Sequence, residues 1–417
     1  MPAEAGGSPV PEDTAVSTLP GPTRPRLFAE PDFRRLWGVG LVVFTVRWLE
    51  TLAVGLFVLD VTGSAFAVAM MTMLRLLPMG LFGAFIGAWA ERIDPRAALI
   101  GILGASLVTS LALALLAQAG LLAVWHLAVA SFINGVGWAA DNPVRRMMIG
   151  QVVGPARMGS AMSADVGANN ASRMLGPTLG GVIFATAGIG GVFALAVALY
   201  AVALVAACRI RLRRAPAPAP AKGTLARIAE GFALVRRDRR LRGTLVVTII
   251  FNLFGWPFTS LIPVIGQTAL HLTPEAIGLL ASMDGVGAFC GALAIAWRVR
   301  PAGYARCYLG GIALYLAMLT LFALAPGPLP AGAALLLVGI GGAGFSIMQA
   351  TLVYLAAPPE LRSRVLGILS VCIGLGPLGF IHLGLLADAI GAQQACVVTG
   401  LEGLLALALT RPLWRHI

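Results

Sequence analysis

Residues 37–60 read WGVGLVVFTVRWLETLAVGLFVLD, and this stretch decides the fold class. Most of its residues are apolar, although two charged residues, Arg47 and Glu50, lie near its middle. A helix needs about 20 residues to cross the ~30 Å apolar core of a bilayer, so the stretch is long enough to span. Lipid offers the backbone no hydrogen-bond partners, and the segment must therefore be helical.

Eleven further apolar runs follow the first, and each is long enough to span. They cover residues 66–90, 97–118, 122–142, 160–187, 190–210, 244–265, 275–297, 304–325, 331–356, 365–388 and 391–411. Of the 417 residues, 58% are hydrophobic and 12% are charged. Soluble domains carry about 25% charged residues, so a cytosolic enzyme is excluded. We predict an all-α membrane protein with twelve transmembrane helices.

The distribution of basic residues predicts the orientation of the chain. The formal net charge is +12, but a nucleic-acid binder would need a basic face with a recognition motif. Of the 30 Lys and Arg residues, all except Arg47, Arg75 and Arg173 fall in the tails and in the even-numbered connections. Such segregation places both termini in the cytoplasm of a multi-pass protein, which we assign to a bacterial cytoplasmic (inner) membrane.

The longest connection divides the chain into two halves of six spans. Pro-Ala alternation at 215–220 indicates a stiff spacer. The basic run 236–240 either rests on anionic headgroups or is a solvated linker. The predicted organisation comprises five parts in chain order. These are a disordered tail 1–35, a bundle 36–210, a linker 211–243, a bundle 244–411 and a tail 412–417.

Glycine and proline motifs recur between the halves. Gly135-Val-Gly137 in span 4 matches Gly342-Ala-Gly344 in span 10, and Gly176-Pro177 in span 5 matches Gly376-Pro377 in span 11. Matches in the same order predict an internal duplication, which is common in secondary transporters.

The end of span 2 carries Gly87, Glu91, Arg92 and Arg96. This pattern resembles the loop 2–3 signature of the major facilitator superfamily, although Glu replaces the usual Asp and Asp94-Pro95 departs from the pattern. The resemblance implies two pseudo-symmetric six-helix bundles and a gating role for these four residues. The alternative interpretation is an ordinary basic turn.

Span 5 contains a second motif, Arg173-Met-Leu-Gly176-Pro177-Thr-Leu-Gly180-Gly181. It resembles the antiporter motif of the same superfamily, which implies an exporter whose bend comes from Gly176, Pro177 and Gly180. A packing kink is the alternative, because Gly and Pro are frequent in membrane helices.

Basic motifs follow spans 4 and 10, with Asp141 and Arg145 in the first and Arg362 and Arg364 in the second. With Arg34-Arg35 before span 1, they resemble the enterobactin-exporter-like branch, the transmembrane secretion effectors. The resemblance implies that they gate the cytoplasmic side.

Charges inside the spans indicate the functional centre, because a buried ionisable group is costly without a partner. Arg47 and Glu50 lie three residues apart on one helical face, so we expect them to pair. Glu50 and Asp284 in span 8 are the predicted proton-coupling sites. The alternative for Arg47 and Glu50 is a purely structural ion pair. Glu402 in span 12 is interpreted as a lipid-side or packing residue.

Further polar residues in the spans predict a substrate site. Arg47, Arg75 and Arg173 suit an anionic group, because a guanidinium matches planar oxyanions. The other candidates are Asn169, Asn170, Asn252, Trp256 and Gln349. Interhelical hydrogen bonding is the alternative for the last three, and Arg75 can instead satisfy carbonyls near a kink at Pro78.

These features favour a proton-coupled exporter of a small amphipathic or anionic molecule, such as a siderophore or a drug. The alternatives are a metabolite importer or uniporter of the same fold and a non-transporting receptor. No catalytic motif indicates an enzyme, and the scattered histidines and cysteines indicate neither a metal site nor a cofactor. The expected partners are the substrate, protons and the lipid bilayer, with no nucleic acid, and the expected state is a monomer.

Overall fold

The computed structural model describes residues 27–90, 93–154, 157–212, 233–358 and 361–417, with the backbone alone at 83–90, 362–364 and 366–367. These ranges are helical and contain no strand. In chain order, the helices are α1 Pro31–Thr62, α2 Ala65–Ala90, α3 Pro95–Gln118, α4 Val124–Val153, α5 Met158–Cys208, α6 Arg239–Ile250, α7 Ile262–Thr268, α8 Pro274–Arg298, α9 Tyr304–Ala323, α10 Pro328–Ala356, α11 Arg362–Ile373, α12 Gly376–Ile390, α13 Ala392–Leu409 and α14 Arg411–Trp414.

The helices are consistent with twelve crossings. Ten helical segments of the described chain are long and apolar enough to span. One of them, the 51-residue α5, contains two crossings, because its backbone is non-helical at Gly188 (φ 63°, ψ −170°). Glycine tolerates this left-handed φ. The 30-residue α4 supplies a further crossing that contains buried charges.

Two helices begin earlier than the sequence predicts. α1 begins at Pro31, inside the predicted tail, because Phe33 and Leu36 are fully buried against the first half. α6 begins at Arg239, inside the predicted linker, where Asp238 accepts hydrogen bonds from two backbone N–H groups of its first turn. Residues 1–26, which are predicted to be disordered, and the middle of the linker lie outside the described residues.

Span 7 is irregular at mid-depth. Between α6 and α7 it passes through a π-helical turn, Phe251–Gly255, and a 3₁₀ turn, Trp256–Leu261. Pro257 has no N–H, so it cannot continue the helical ladder to the carbonyl of Leu253. That carbonyl packs instead against Gly379 of α12.

Glycine contacts show the pseudo-symmetry of the halves. In the first half (α1–α5), a methyl group at Gly180 of α5 would lie 2.7 Å from the carbonyl oxygen of Leu49 in α1. In the second half (α6–α13), a methyl group at Gly379 would lie 2.7 Å from Cγ of Pro257. Span 5 therefore packs on span 1 as span 11 packs on span 7.

The two halves meet through two equivalent close crossings. A methyl group at Gly80 of α2 would lie 2.7 Å from the carbonyl oxygen of Gly374, which joins α11 to α12. A methyl group at Gly285 of α8 would lie 2.7 Å from the carbonyl oxygen of Arg173 in α5. Only glycine allows backbones so near each other, so these positions fix how the halves abut at mid-depth.

Hydrogen bonds also join the halves at the far side, the side where α1 ends. The Asp388 carboxylate of α12 accepts from Oγ of Ser64 (2.9 Å) and from the backbone N–H of Phe66 (3.0 Å). Nε2 of Gln267 donates to Oδ1 of Asp60 over 2.6 Å. These contacts link the two halves at the far side and oppose their separation there.

Asp388→Ala should therefore increase the far-side-open population by about threefold to tenfold, the effect of losing one or two hydrogen bonds. Electron–electron distance measurements between spin labels on Val61 and Ile390, in a background without the five native cysteines, would detect it. Asp388→Asn retains an acceptor and should change the distances less. An unchanged distance distribution in the alanine variant would exclude this role.

Candidate functional site

A central cavity lies between the two halves and encloses about 850 Å³ of space, counting the part open to solvent. Both halves supply its lining, which is Arg47, Trp48, Thr51, Leu52, Gly55, Val68, Thr72, Arg75, Leu76, Trp138, Arg173, Pro177, Trp256, Thr259, Ser260, Ile262, Pro263, Ala281 and Asp284. Apolar walls with a few polar groups are typical of small-molecule sites.

Tryptophan side chains supply much of the apolar wall. The rings of Trp138 in α4 and Trp256 in span 7 meet edge to face across the halves, with 6.5 Å between centroids. Among the described residues, Nε1 of Trp48 is buried without a hydrogen-bond partner. An unpaired buried donor is costly, so a substrate acceptor would satisfy it.

An ion pair between Arg173 of α5 and Asp284 of α8 joins the halves at the cavity wall. The side chain of Asp284 is buried, and its Oδ1 has no hydrogen-bond partner in the described part of the chain. Nε of Arg173 is likewise unpartnered there. The ion pair therefore joins the predicted proton site Asp284 to the predicted substrate residue Arg173. Oδ1 of Asp284 and Nε of Arg173 each remain without a partner among the described residues.

Glu50 pairs with Arg75 and not with Arg47, so the expected pairing within span 1 is wrong. Oε2 of Glu50 lies 3.2 Å from Nη2 of Arg75 in α2. Ser110 of α3 donates to Oε1 (3.2 Å), and Asn134 of α4 donates to Oε2 (3.4 Å). Glu50 thus lies inside the first half, behind Arg75, which itself lines the central cavity.

Arg47 is held by aromatic rings. Its guanidinium carbon lies 4.3 Å from the ring centroid of Trp138 and 5.3 Å from that of Phe44. A guanidinium gains cation–π energy over the face of an aromatic ring. Because these rings hold Arg47, its three-residue spacing from Glu50 did not determine its partner. Arg47 also lines a smaller cavity inside the first half that reaches Asn134 and Asp141.

Arg145 forms a second buried charge cluster, at a position that the sequence pattern assigned to a connection. α4 continues to Val153, so Arg145 lies about two turns inside the helix and not in a connection. Its Nε lies 3.3 Å from Asp141, its Nη1 binds Asp165 of α5, and its guanidinium carbon lies 4.6 Å from the Phe44 centroid. These partners all belong to the first half, so the gating role of Asp141 and Arg145 stays a prediction.

Four predicted substrate residues do not line the central cavity in the part of the chain that is described. Asn252 and Gln349 are buried in the second half, where they bond to the carbonyl oxygen and the hydroxyl of Thr248. Asn169 and Asn170 lie on α5 and are partly buried. Interhelical hydrogen bonding, the alternative interpretation, therefore suits Gln349 of α10, whereas Asn252 bonds within its own span.

The predicted gating residues fall into two groups. At one group, which is Gly176, Pro177 and Gly180, the helix α5 crosses its neighbours. The α5 helix continues through Pro177. The described Arg96 donates to the Cys208 carbonyl at the end of α5.

The remaining predicted gating residues lie on α2, on α11 and at the end of span 2. Glu91 and Arg92 lie outside the described residues. Gly87, Arg362 and Arg364 lie on α2 and α11 where the backbone alone is described.

Sequence reasoning missed several polar and aromatic residues of the site. Ser110 and Asn134 hold Glu50, and Trp48 and Trp138 line the cavity. A polar residue inside an apolar run was the available signal for Ser110 and Asn134. The described residues contain no group of His, Cys, Asp and Glu that could hold a metal.

Comparison with known proteins agrees with this architecture. Macrolide efflux protein A of Streptococcus pyogenes is 23% identical over 400 residues, covering 92% of this chain and 96% of that protein. The staphyloferrin A transporter of Staphylococcus aureus is 22% identical over 373 residues, covering 87% and 91%. A crystal structure of a bacterial homologue of the human lysosomal transporter Spinster superposes with a TM-score of 0.74 at 14% identity, covering 92% of this chain and 96% of that one.

The family itself follows from a match over almost the whole chain. Residues 25–413 match the family model described as transmembrane secretion effector. The match confirms the predicted branch, and the family together with its relatives makes the protein a membrane transporter and not an enzyme. The chain belongs to the transmembrane secretion effector family of the major facilitator superfamily.

Proposed function

We propose that the protein exports a small amphipathic or anionic molecule in exchange for protons. The observation that carries this proposal is the Arg173–Asp284 ion pair, which joins the two halves at the wall of the central cavity. A proton on Asp284, or a substrate anion on Arg173, competes directly with this bond between the halves. Binding of either one therefore biases the relative position of the halves, as alternating access requires.

The charge balance of the cavity supports competition of this kind. Three arginines, Arg47, Arg75 and Arg173, line it, whereas Asp284 is the one acidic residue in its described lining. Glu50 lies directly behind Arg75. A proton on Glu50 would free Arg75 to bind an anionic substrate group, and departure of the substrate would return Arg75 to Glu50. Glu50 and Asp284 are thus our two candidate proton sites.

The relatives favour export and suggest two substrate classes. One relative is named as a macrolide efflux protein and another as a transporter of staphyloferrin A. A cavity with tryptophan walls and three guanidinium groups suits an amphipathic drug or an anionic siderophore. We assign the chain, as a monomer, to a bacterial cytoplasmic (inner) membrane with both termini in the cytoplasm, following its basic connections.

Proteoliposomes with a pH-sensitive dye inside would test the exchange. Addition of a macrolide or a siderophore should drive protons across the membrane in the direction opposite to the substrate. Collapse of the pH gradient should stop accumulation of the substrate. Transport that continues unchanged after the gradient collapses would favour the alternative, a uniporter or importer. Liposomes without protein provide the baseline.

A further inference from the structure

A further ionisable pair, formed by His382 and Glu402, lies on the outer surface of the second half. Nε2 of His382 in α12 lies 2.7 Å from Oε2 of Glu402 in α13. The side chains are 41% and 37% exposed, so this pair is not part of the packed interior.

The pair lies at the depth of the hydrocarbon core. Glu402 follows Ala392, the first residue of α13, by ten positions, which places it about 15 Å from the far side and near the middle of a ~30 Å apolar core. The exposed leucines around the pair mark a lipid-facing surface. They are Leu378, Leu385, Leu401 and Leu405. A charged group at this depth costs about 2.5–3.5 kcal/mol on the insertion scale, which favours a functional role for the pair.

The pair forms the polar part of a concave lateral pocket, which is lined by Leu253, Phe254, Leu378, Gly379, His382 and Glu402. The pocket encloses about 750 Å³, counting the part open to the surroundings. The ring of Phe254 stands perpendicular to the imidazole of His382, with 6.3 Å between centroids. Oε1 of Glu402 has no hydrogen-bond partner among the described residues, so one carboxylate oxygen remains available to a ligand.

The lateral pocket and the central cavity share the irregular segment of span 7. Phe254 faces the lateral pocket, and Trp256, two residues later, lines the central cavity. On the α12 side, Gly379 lines the lateral pocket, and the ring of the adjacent Phe380 lies 6.3 Å from that of Trp256. One turn of distorted helix therefore separates the two sites.

We propose that the lateral pocket binds amphipathic amines that are dissolved in the bilayer. The ammonium group would donate to Oε1 of Glu402 beside the face of Phe254, and the hydrocarbon part would lie against Leu253 and Leu378. A carboxylate next to an aromatic ring recognises a cation and repels an anion. This proposal rests on the proposed function. The pocket is then the lipid-side entrance for cationic amphipathic substrates, and it lies next to the turn that lines the central cavity.

Photolabelling in phosphatidylcholine nanodiscs tests this site without requiring transport. The probe is dodecylamine carrying a diazirine, and the labelled peptides are mapped by mass spectrometry. Label should concentrate on the peptides that contain Phe254 and Leu378, and unlabelled dodecylamine should suppress it. Glu402→Gln should weaken labelling by about tenfold or more, because a charge-assisted hydrogen bond is lost. Phe254→Leu, which preserves the carboxylate, should weaken it less.

A diazirine-labelled dodecane is the matched probe, and it should label the lipid-facing leucines equally in the wild type and in Glu402→Gln. Labelling by the amine that is spread evenly over those leucines, or that is undiminished in Glu402→Gln, would overturn the proposal. Asp284→Asn should retain the lateral label, which separates failure of this site from failure of proton exchange.

Discussion

Asp284→Asn should abolish accumulation driven by a pH gradient, which for one exchanged proton amounts to about tenfold per pH unit. The asparagine cannot exchange a proton at the cavity wall, and it replaces the ion pair with Arg173 by a weaker neutral contact. Exchange of labelled for unlabelled substrate at equal pH should continue, because it does not require net proton movement. Both measurements use the same proteoliposomes.

Two matched variants make this prediction specific. Asp284→Glu keeps a carboxylate and should keep part of the gradient-driven accumulation. Asp388→Asn removes an acidic group on the same half but at the far side, where it does not line the central cavity, and should leave proton coupling in place. If Asp284→Asn accumulates substrate as the wild type does, Asp284 is not a proton site, and Glu50 alone would remain.

Arg145→Met should destabilise the protein by about 3–5 kcal/mol, because it leaves two buried carboxylates without their cation. Arg145 is fully buried, and it is bound to both Asp141 and Asp165. We expect a lower unfolding temperature of the purified protein in detergent and a smaller yield from membranes. Unfolding in increasing denaturant would measure the loss of stability.

The neighbouring Arg146 provides the control, since it is exposed on the same helix. Arg146→Met should change the unfolding midpoint little. The triple variant Arg145→Met, Asp141→Asn, Asp165→Asn should recover most of the lost stability, because it removes the unpaired charges together with their partner. A single Arg145→Met variant as stable as the wild type would show that the cluster does not stabilise this half.

The predicted spans agree with the structure where long apolar runs decide, and disagree where packing decides. The runs of spans 1 to 3 correspond to α1, α2 and α3. The start of α1 at Pro31 was missed because Phe33 and Leu36 stand among charged residues, and only their burial reveals the helix. The same holds for Arg145, whose charge suggested a connection although α4 continues around it.

The site was predicted as a set of residues, but not as a set of bonds. Arg75, Arg173, Trp256 and Asp284 do line one cavity. Spacing along a helix predicted the wrong partner for Glu50, because α2 brings Arg75 to it while Trp138 holds Arg47. Local spacing cannot show which side chain of a neighbouring helix arrives at the same point.

The sequence by itself determined the fold class, the division into halves and the presence of costly charges inside the membrane, because apolar length and charge placement are properties of the chain. Tertiary structure alone decided how those charges pair. Arg173 meets Asp284 across the halves, and His382 meets Glu402 on the outer surface, since separate helices contribute each member. Helix packing at glycine crossings sets the distances between these side chains. The spacing of residues along a single helix does not predict those distances.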